Sequence, residues 1–371
     1  MPAMTPTSGL AERLSERIRC EGPITFRDWM NAALYDEHEG YYCRSDRKPW
    51  GREGDYRTSP ERSPLFAATF ANYFAQLYRN LHSPTTWTIL EAGAGAGNFA
   101  SGVLATLRDE FPEVFAATTY VVDEVGAGAT LADELAPFKD HVQFKSLQDC
   151  DQILSGIVFS NELLDSFPVH RVTAVKGELH ELCVTVNDAE AFAWTTRPLM
   201  NPALQGYLAA SGITLANGQT VDINLEIQPW LEAVARKLKA GYLITVDYGA
   251  EAIDLYDAVS RPQGTLRGFY RHELVDDLLA RPGEQDLTSS IDWSYVKSYG
   301  AGLEFDVVKF ERQDKFLLQA GLLEEMERLC EQAADEVERL AVRNAAREMV
   351  LPNGMAAHFQ VLVQKRGLFD L

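Results

Sequence analysis

The sequence predicts an α/β protein built on a doubly wound, Rossmann-like sheet, with a helical N-terminal cap and a β-rich insertion. Three observations carry that prediction. Apolar strands alternate with amphipathic helices from Trp87 onward, the first strand runs directly into a glycine-rich turn, and acidic residues stand where the following strands end. Taken in chain order, residues 1–9 read as a disordered tail and 10–81 as a mainly helical cap. A run of turn-forming and charged residues from Cys43 to Pro60, containing GREGD and TSPE, interrupts the cap as a surface loop.

Residues 82–371 read as the main domain. WTILEAG is a strand, GNFASGVLATLRDEF a helix, TTYVVDE a strand and ATLADELAPF a helix, and HVQFKSL and GIVFSNE add two strands. EIQPWLEAVARKLKAG is an amphipathic helix ended by Gly241, and YLITVDYG is apolar enough to be buried on both faces of a parallel sheet. The chain closes with the strand LEFDVVKF, a long helical region from about Asp314 to Met349, and the strand FQVLVQK. Two stretches break the alternation. Over 169–222, RVTAV, ELHELCVTV and AEAFAWTT predict antiparallel strands turning at KG and ND. The segment 250–300 is rich in turns and polar residues, and irregular stretches of that length generally carry a function or are disordered.

Composition limits what such a protein can do. With 46% hydrophobic and 24% charged residues in 371, the chain can bury a large core. Its formal net charge of -20 excludes a backbone-grasping nucleic-acid binder, which needs a basic face. No apolar run approaches the roughly 20 residues that span a bilayer, so no membrane insertion is expected. The start MPAMTPTSG lacks a signal-like apolar region, and Glu12 and Glu16 in the helix that follows argue against a transit peptide. A cytoplasmic location is the resulting expectation. The 5 cysteines are scattered without a Cys-x-x-Cys pair and the 7 histidines show no close ligand pairing, so reduced thiols and no metal are expected.

Three groups of residues point to a ligand. Strand ILEAG leads into Gly93, Gly95 and Gly97, where missing side chains permit a sharp turn and close approach of a ligand. A dinucleotide fingerprint would need glycine at the sixth position from Gly93, which is Asn98, so the NAD reading is weakened. A tight turn without a ligand is the plain alternative. The next strand ends at Asp123 and Glu124, about where Rossmann-like folds set an acid against ribose hydroxyls; Glu124 is favoured, with Asp123 as the alternate. Finally, FSNELLDSFPVHR delivers Asn161, Glu162 and Asp165 at the end of a central strand, unless Asn161 and Glu162 simply cap a helix beginning at Leu163.

The set GPITFRDWMNAALYDEHEGYY, GDYRTSPERSPLFA, ILEAGAGAG, NELLDSFPVHR, LITVDYG, QGTLRGFYRH and PGEQDLTSSIDW resembles the MidA-type methyltransferases, from about Gly22 to Gly367 in consistent order. That family includes a mitochondrial protein arginine methyltransferase that assists assembly of respiratory complex I. The chain departs from the family pattern at Ala94 and Ala96, where a proline and a larger residue are usual, and in EVGAG, where a Ser-Pro usually follows the acid.

The resemblance implies a class I methyltransferase fold and S-adenosyl-L-methionine as cofactor. It also implies a protein substrate carrying the acceptor arginine, with a subunit of respiratory complex I as one candidate and homo-oligomerisation left open. The cofactor-binding candidates are then Glu91, Gly93, Gly95, Gly97, Glu124 and Asn161, with Thr58 and Ser59 of the N-terminal loop folding over the cofactor. Ser59 has a second reading, as the cap of a helix starting at Pro60. For a guanidinium acceptor, Glu162 is the expected anchor, Asp165 on the same helix face a second or structural partner, and Tyr248 a wall of the pocket. His272 matches a family histidine that would orient or deprotonate the acceptor, its alternative being a structural role. A small-molecule N- or O-methyltransferase, and a non-catalytic assembly factor retaining the fold, are the competing functions.

Overall fold

The computed structural model describes residues 9–44, 63–126, 129–271, 273–351 and 355–367. Seven strands form the central sheet: β1 (Trp87–Ala92), β2 (Thr118–Asp123), β3 (Val142–Phe144), β4 (Gly156–Asn161), β5 (Gly241–Ala250), β6 (Asp306–Arg312) and β7 (Phe359–Arg366). Their order is β6-β7-β5-β4-β1-β2-β3, and the two-residue strand Ile291–Asp292 adds to the end of β5. β3, β2, β1, β4 and β5 run parallel, whereas β7 is antiparallel to both β5 and β6. The order reverses beside β1, and the carboxyl ends of β1 and β4 open there, the place where doubly wound sheets bind ligands.

Both faces of the sheet are buried, which is why its central strands are almost continuously apolar. On one face, helices α1 (Gly9–Glu21) and α2 (Phe26–Tyr35) play no part; it is α3 (Pro64–Asn80) and α4 (Asn98–Glu110) that cover it. α3 starts at a Ser63 cap accepting from the Leu65 N–H, with Pro64 in its first turn. Its Phe70 and Phe74 pack on Phe99 and Phe159, and the last two rings stack at 4.4 Å. The opposite face is covered by the helices Ile227–Lys237 and Trp293–Gly302.

The mainly helical N-terminal cap also contributes a strand: Ile24–Thr25 pairs with Glu178–Val186 and becomes the edge of the inserted antiparallel sheet, which also holds His170–Val175, Phe192–Pro198 and Thr220–Ile223. Cap and insertion therefore share backbone hydrogen bonds. The stretch 250–300 is turn-rich as expected, but it also holds a second small sheet of Arg267–Tyr270, Glu273–Val275 and Asp286–Thr288. Other expectations are corrected. HVQFKSL contributes only β3. The helical region after Asp314 is three helices, Gln313–Gln319, Leu322–Gln332 and Glu336–Val350, broken at Gly321 with φ +98° and recapped by Asp335. No helix begins at Leu163; a single 3₁₀ turn, Leu164–Ser166, follows β4. Among the described residues no helix is long and apolar enough to cross a membrane.

Candidate functional site

A cavity of about 760 Å³ opens over the carboxyl ends of β1, β2, β4 and β5. Its lining includes Ala92, Gly93, Asp123, Glu124 and Gln148 around the glycine turn, Glu162, Leu163 and Asp165 from the turn after β4, and Tyr35, Tyr42, Tyr248, Asp286 and Thr288.

The glycine turn is held from across the sheet. Gly93, Gly95 and Gly97 have φ of +73°, +56° and +83°, a region that L side chains enter only with strain. Gly93 donates its N–H to the Asp123 carbonyl at 2.8 Å, and Gly97 is the N-cap of α4. Glu124 accepts from the Gly95 N–H at 2.7 Å and the Gly126 N–H at 3.1 Å, so its carboxylate braces the turn while also lining the cavity. Burial raises its pKa, and the backbone donors oppose that rise. Asp123 accepts instead from the Leu147 N–H, at 2.9 Å.

Glu91 is elsewhere. Its side chain is 4% exposed and accepts from the Tyr120 hydroxyl at 2.7 Å, and it is not among the cavity's lining residues. Burial pushes its pKa up to about 8. Asn161 likewise does not line the cavity; its amide donates to Glu162 Oε1 at 3.3 Å. Thr58, Ser59 and His272 lie outside the described residues.

Glu162 adopts φ +52°, costly for a residue with a Cβ and characteristic of functional sites. The left-handed step at Glu162 replaces the expected helix start, so Glu162 and Asp165 reach the cavity by a turn and not by sharing a helix face. What holds this turn is Asp247, fully buried on β5: Oδ2 accepts from the Leu164 and Asp165 N–H groups at 3.0 and 3.2 Å, and Oδ1 from the Tyr248 N–H at 2.8 Å. Burial, then the neighbouring Asp165 charge, raises its pKa well above the carboxylate range. Asp165 in turn accepts at Oδ2 from the Tyr248 hydroxyl, 2.5 Å away, and burial with the nearby Asp286 charge takes its pKa up to about 7.

Sequence patterns alone do not single out further residues that line or support the cavity. Tyr42 donates to Asp286 Oδ1 at 2.7 Å, and the Tyr35 hydroxyl lies 2.9 Å from the Ser166 hydroxyl, so the cap reaches into the site. Arg267 lies over the Tyr248 ring at 5.5 Å. The loop carrying Arg261 and Arg267 is tied to the insertion by Asp222, which takes the Arg171 guanidinium at 2.9 Å and the Thr265 and Leu266 N–H groups. The available signals were the motifs GYY, LITVDYG and PGEQDLTSSIDW, but strand periodicity does not say which acid in a motif faces a cavity built from distant segments.

Comparison with known proteins is consistent in kind. The family model described as "Putative S-adenosyl-L-methionine-dependent methyltransferase" matches residues 69–310. A mitochondrial protein arginine methyltransferase NDUFAF7 homolog of Drosophila melanogaster is 26% identical over 318 residues, 78% of this chain and 69% of that protein. The human mitochondrial protein arginine methyltransferase NDUFAF7 is 24% identical over 329 residues, 81% of this chain and 71% of that protein. A Burkholderia thailandensis structure bound to S-adenosyl-homocysteine superposes with a TM-score of 0.86 at 28% identity, covering 97% of this chain and 92% of that one. The expected cytoplasmic location is overturned by these matches, because the named relatives are mitochondrial proteins. Glu12 and Glu16 therefore carry no information about location.

Proposed function

We propose the acceptor chemistry of this cavity from one premise: the chain belongs to the S-adenosyl-L-methionine-dependent methyltransferase family matched over residues 69–310. It is a methyltransferase with the class I Rossmann-like fold, and S-adenosyl-L-methionine is its cofactor. The residues around the glycine turn fit that molecule. Gly93 lies on the cavity wall, and a Cβ there would reach within 3.0 Å of Leu163, so glycine keeps the cradle open. The Glu124 carboxylate has lone pairs beyond those used by Gly95 and Gly126, the chemistry that a ribose diol requires. The bound cofactor supplies a methyl group on a sulfonium, a carbon already activated for in-line displacement. The chain itself has then to orient the acceptor and exclude water.

The acceptor we infer is an arginine side chain of a partner protein, the chemistry named for the mitochondrial relatives, with a respiratory complex I subunit as the candidate partner. One observation carries this reading: Glu162 and Asp165 both line the cavity beyond the glycine turn. A guanidinium is protonated at neutral pH and its lone pairs are delocalised. Carboxylates bonded to two of its nitrogens would hold its plane and draw positive charge from the third, which would take the methyl group, release S-adenosyl-homocysteine and pass its proton to a carboxylate lining the cavity. Glu162 is the anchor in this scheme. The catalytic unit is residues 82–371 under the 10–81 cap.

Glu162→Gln tests it. Methyl transfer from labelled cofactor to proteins of a lysate lacking this chain should fall by about 100-fold or more, while S-adenosyl-homocysteine binding by calorimetry is retained. Unchanged turnover refutes the role of Glu162, and label on a small metabolite instead of a protein arginine refutes the acceptor.

A further inference from the structure

One face of the small sheet in the 250–300 segment forms part of the cavity wall. Arg267 and Phe269 stand two apart on its central strand, which sets both side chains on one face, and Thr288 and Asp286 are their partners by register; all four line the cavity. Arg267 is a residue of this wall that methyl transfer to a guanidinium does not use. Its side chain is exposed and its guanidinium lies over the Tyr248 ring at 5.5 Å, yet among the described residues it has no hydrogen-bond or ion-pair partner. The backbone beneath it is fixed. Its strand is paired on both sides, the Thr265 and Leu266 N–H groups donate to Asp222 at 2.6 and 2.9 Å, and the Gln263 carbonyl accepts from the Arg171 guanidinium at 2.8 Å. Arg261, on the loop before the strand, also lines the cavity; it donates to the Asp254 carbonyl and stands near Asp257.

We propose that Arg267 reads an acidic side chain of the partner protein, an Asp or Glu one or two residues from the acceptor arginine, with Arg261 as a weaker second charge. This rests on the protein-arginine reading and adds a sequence preference to it. Tyr248 sets the spacing. Its hydroxyl lies 2.5 Å from Asp165 Oδ2 while its face carries Arg267, so one side chain separates Arg267 from the turn that bears Glu162 and Asp165. An extended chain advances about 3.3 Å per residue, so the neighbours of an arginine held at Glu162 come within reach of Arg267. The rest of the charged lining is mostly acidic, so an anion entering the cavity is drawn to the arginines, and a carboxylate matches the planar guanidinium fork. The cofactor's own carboxylate offers the same chemistry, but topology favours the acceptor. Arg267 lies over Tyr248 on β5, whereas the glycine turn and Glu124 follow β1 and β2, with β4 in between.

The test uses the full chain saturated with S-adenosyl-homocysteine and the blocked peptide acetyl-GGGRGGG-amide, in which Asp or Asn replaces the glycine one or two places to either side of the arginine. Calorimetry measures binding. At one or more of these positions the wild type should bind the Asp peptide about fivefold or more tighter than its Asn counterpart. Arg267→Gln should bring that ratio close to one, and Arg267→Lys, which keeps the charge without the fork, should retain part of it. The ligand-free melting temperature and the affinity for S-adenosyl-homocysteine should match the wild type in both variants. A wild type that prefers arginine to a glutamine counterpart but binds every Asp and Asn pair equally overturns this proposal and leaves the protein-arginine reading standing, and it needs no variant to fold. An Asp preference that persists in Arg267→Gln also overturns it. So does an Arg267→Gln protein that melts like the wild type but has lost S-adenosyl-homocysteine affinity, since the arginine then serves the cofactor's carboxylate. A wild type that binds the arginine peptide no better than the glutamine one overturns both readings.

Discussion

Replacing Asp247 by alanine removes the acceptor of three backbone N–H groups at once, and the structure says what that should cost. The carboxylate is fully buried and is bonded by Leu164, Asp165 and Tyr248 at 2.8 to 3.2 Å. Each buried donor left unmade costs about 1–3 kcal/mol, while removing an acid that burial already disfavours returns part of it. A net loss of about 3–5 kcal/mol follows, in the range expected when a buried hydrogen-bond network is broken. For a cooperative unit of this length, unfolding entropy converts each kcal/mol into about 1–2 °C, so Tm should drop by about 3–10 °C. The second readout separates position from stability. Asp247 touches the turn carrying Asp165 and not the glycine turn, so below the new Tm S-adenosyl-homocysteine should bind nearly as in the wild type while methyl transfer falls. Differential scanning calorimetry and single-turnover transfer of labelled methyl measure the two effects. A Tm within 1 °C of wild type, or transfer that is unaffected, would falsify the claim that Asp247 holds this turn in place.

Two further outcomes are expected. Glu91 has its pKa raised from 4.5 to about 8 by burial, so between those values the folded chain holds a proton that the unfolded chain has lost. Its contribution to stability is therefore lost as pH rises through that window, by on the order of 3–5 kcal/mol at about 1.4 kcal/mol per unit. Glu91→Gln should flatten the wild-type decline in Tm between pH 5 and pH 8.5, and equal slopes for the two proteins would contradict the assignment. Gly97→Ala places a Cβ at φ +83° and 2.4 Å from a methyl of Leu131; left-handed strain and overpacking together should cost about 2–4 kcal/mol, and a melting curve identical to wild type would show that the α4 start relaxes freely.

The central sheet was readable because its signals are local. Each of WTILEA, TTYVVD, GIVFSN and GYLITVDYGA is a short apolar run bounded by turn residues, and periodicity needs no knowledge of partners. The place of Glu124 beside the glycine turn was readable for a related reason: it follows the strand next to that turn, and adjacent parallel strands in this fold bring the two together. Glu91 shows where such inference stops. It belongs to the same motif, yet its side chain turns to Tyr120, because one residue along a strand points to the opposite face from the next. The turn after β4 was misread as a helix start because an Asn-Glu pair followed by leucines matches a cap pattern, while the stabilising Asp247 lies 83 residues from Leu164 in sequence.

By itself, then, the sequence determined the α/β architecture, the glycine turn between β1 and α4 and the acids that end the neighbouring strands, because backbone propensity and hydrophobic period act over a few residues. Tertiary structure alone decided which carboxylates share a cavity. Asp165, Asp286, Tyr42 and Tyr248 meet through hydrogen bonds across |i−j| of 83 and 244 residues, and a two-residue strand in the cap joins the inserted sheet. Such contacts follow from how buried layers pack and satisfy their polar groups, which no local window of sequence contains.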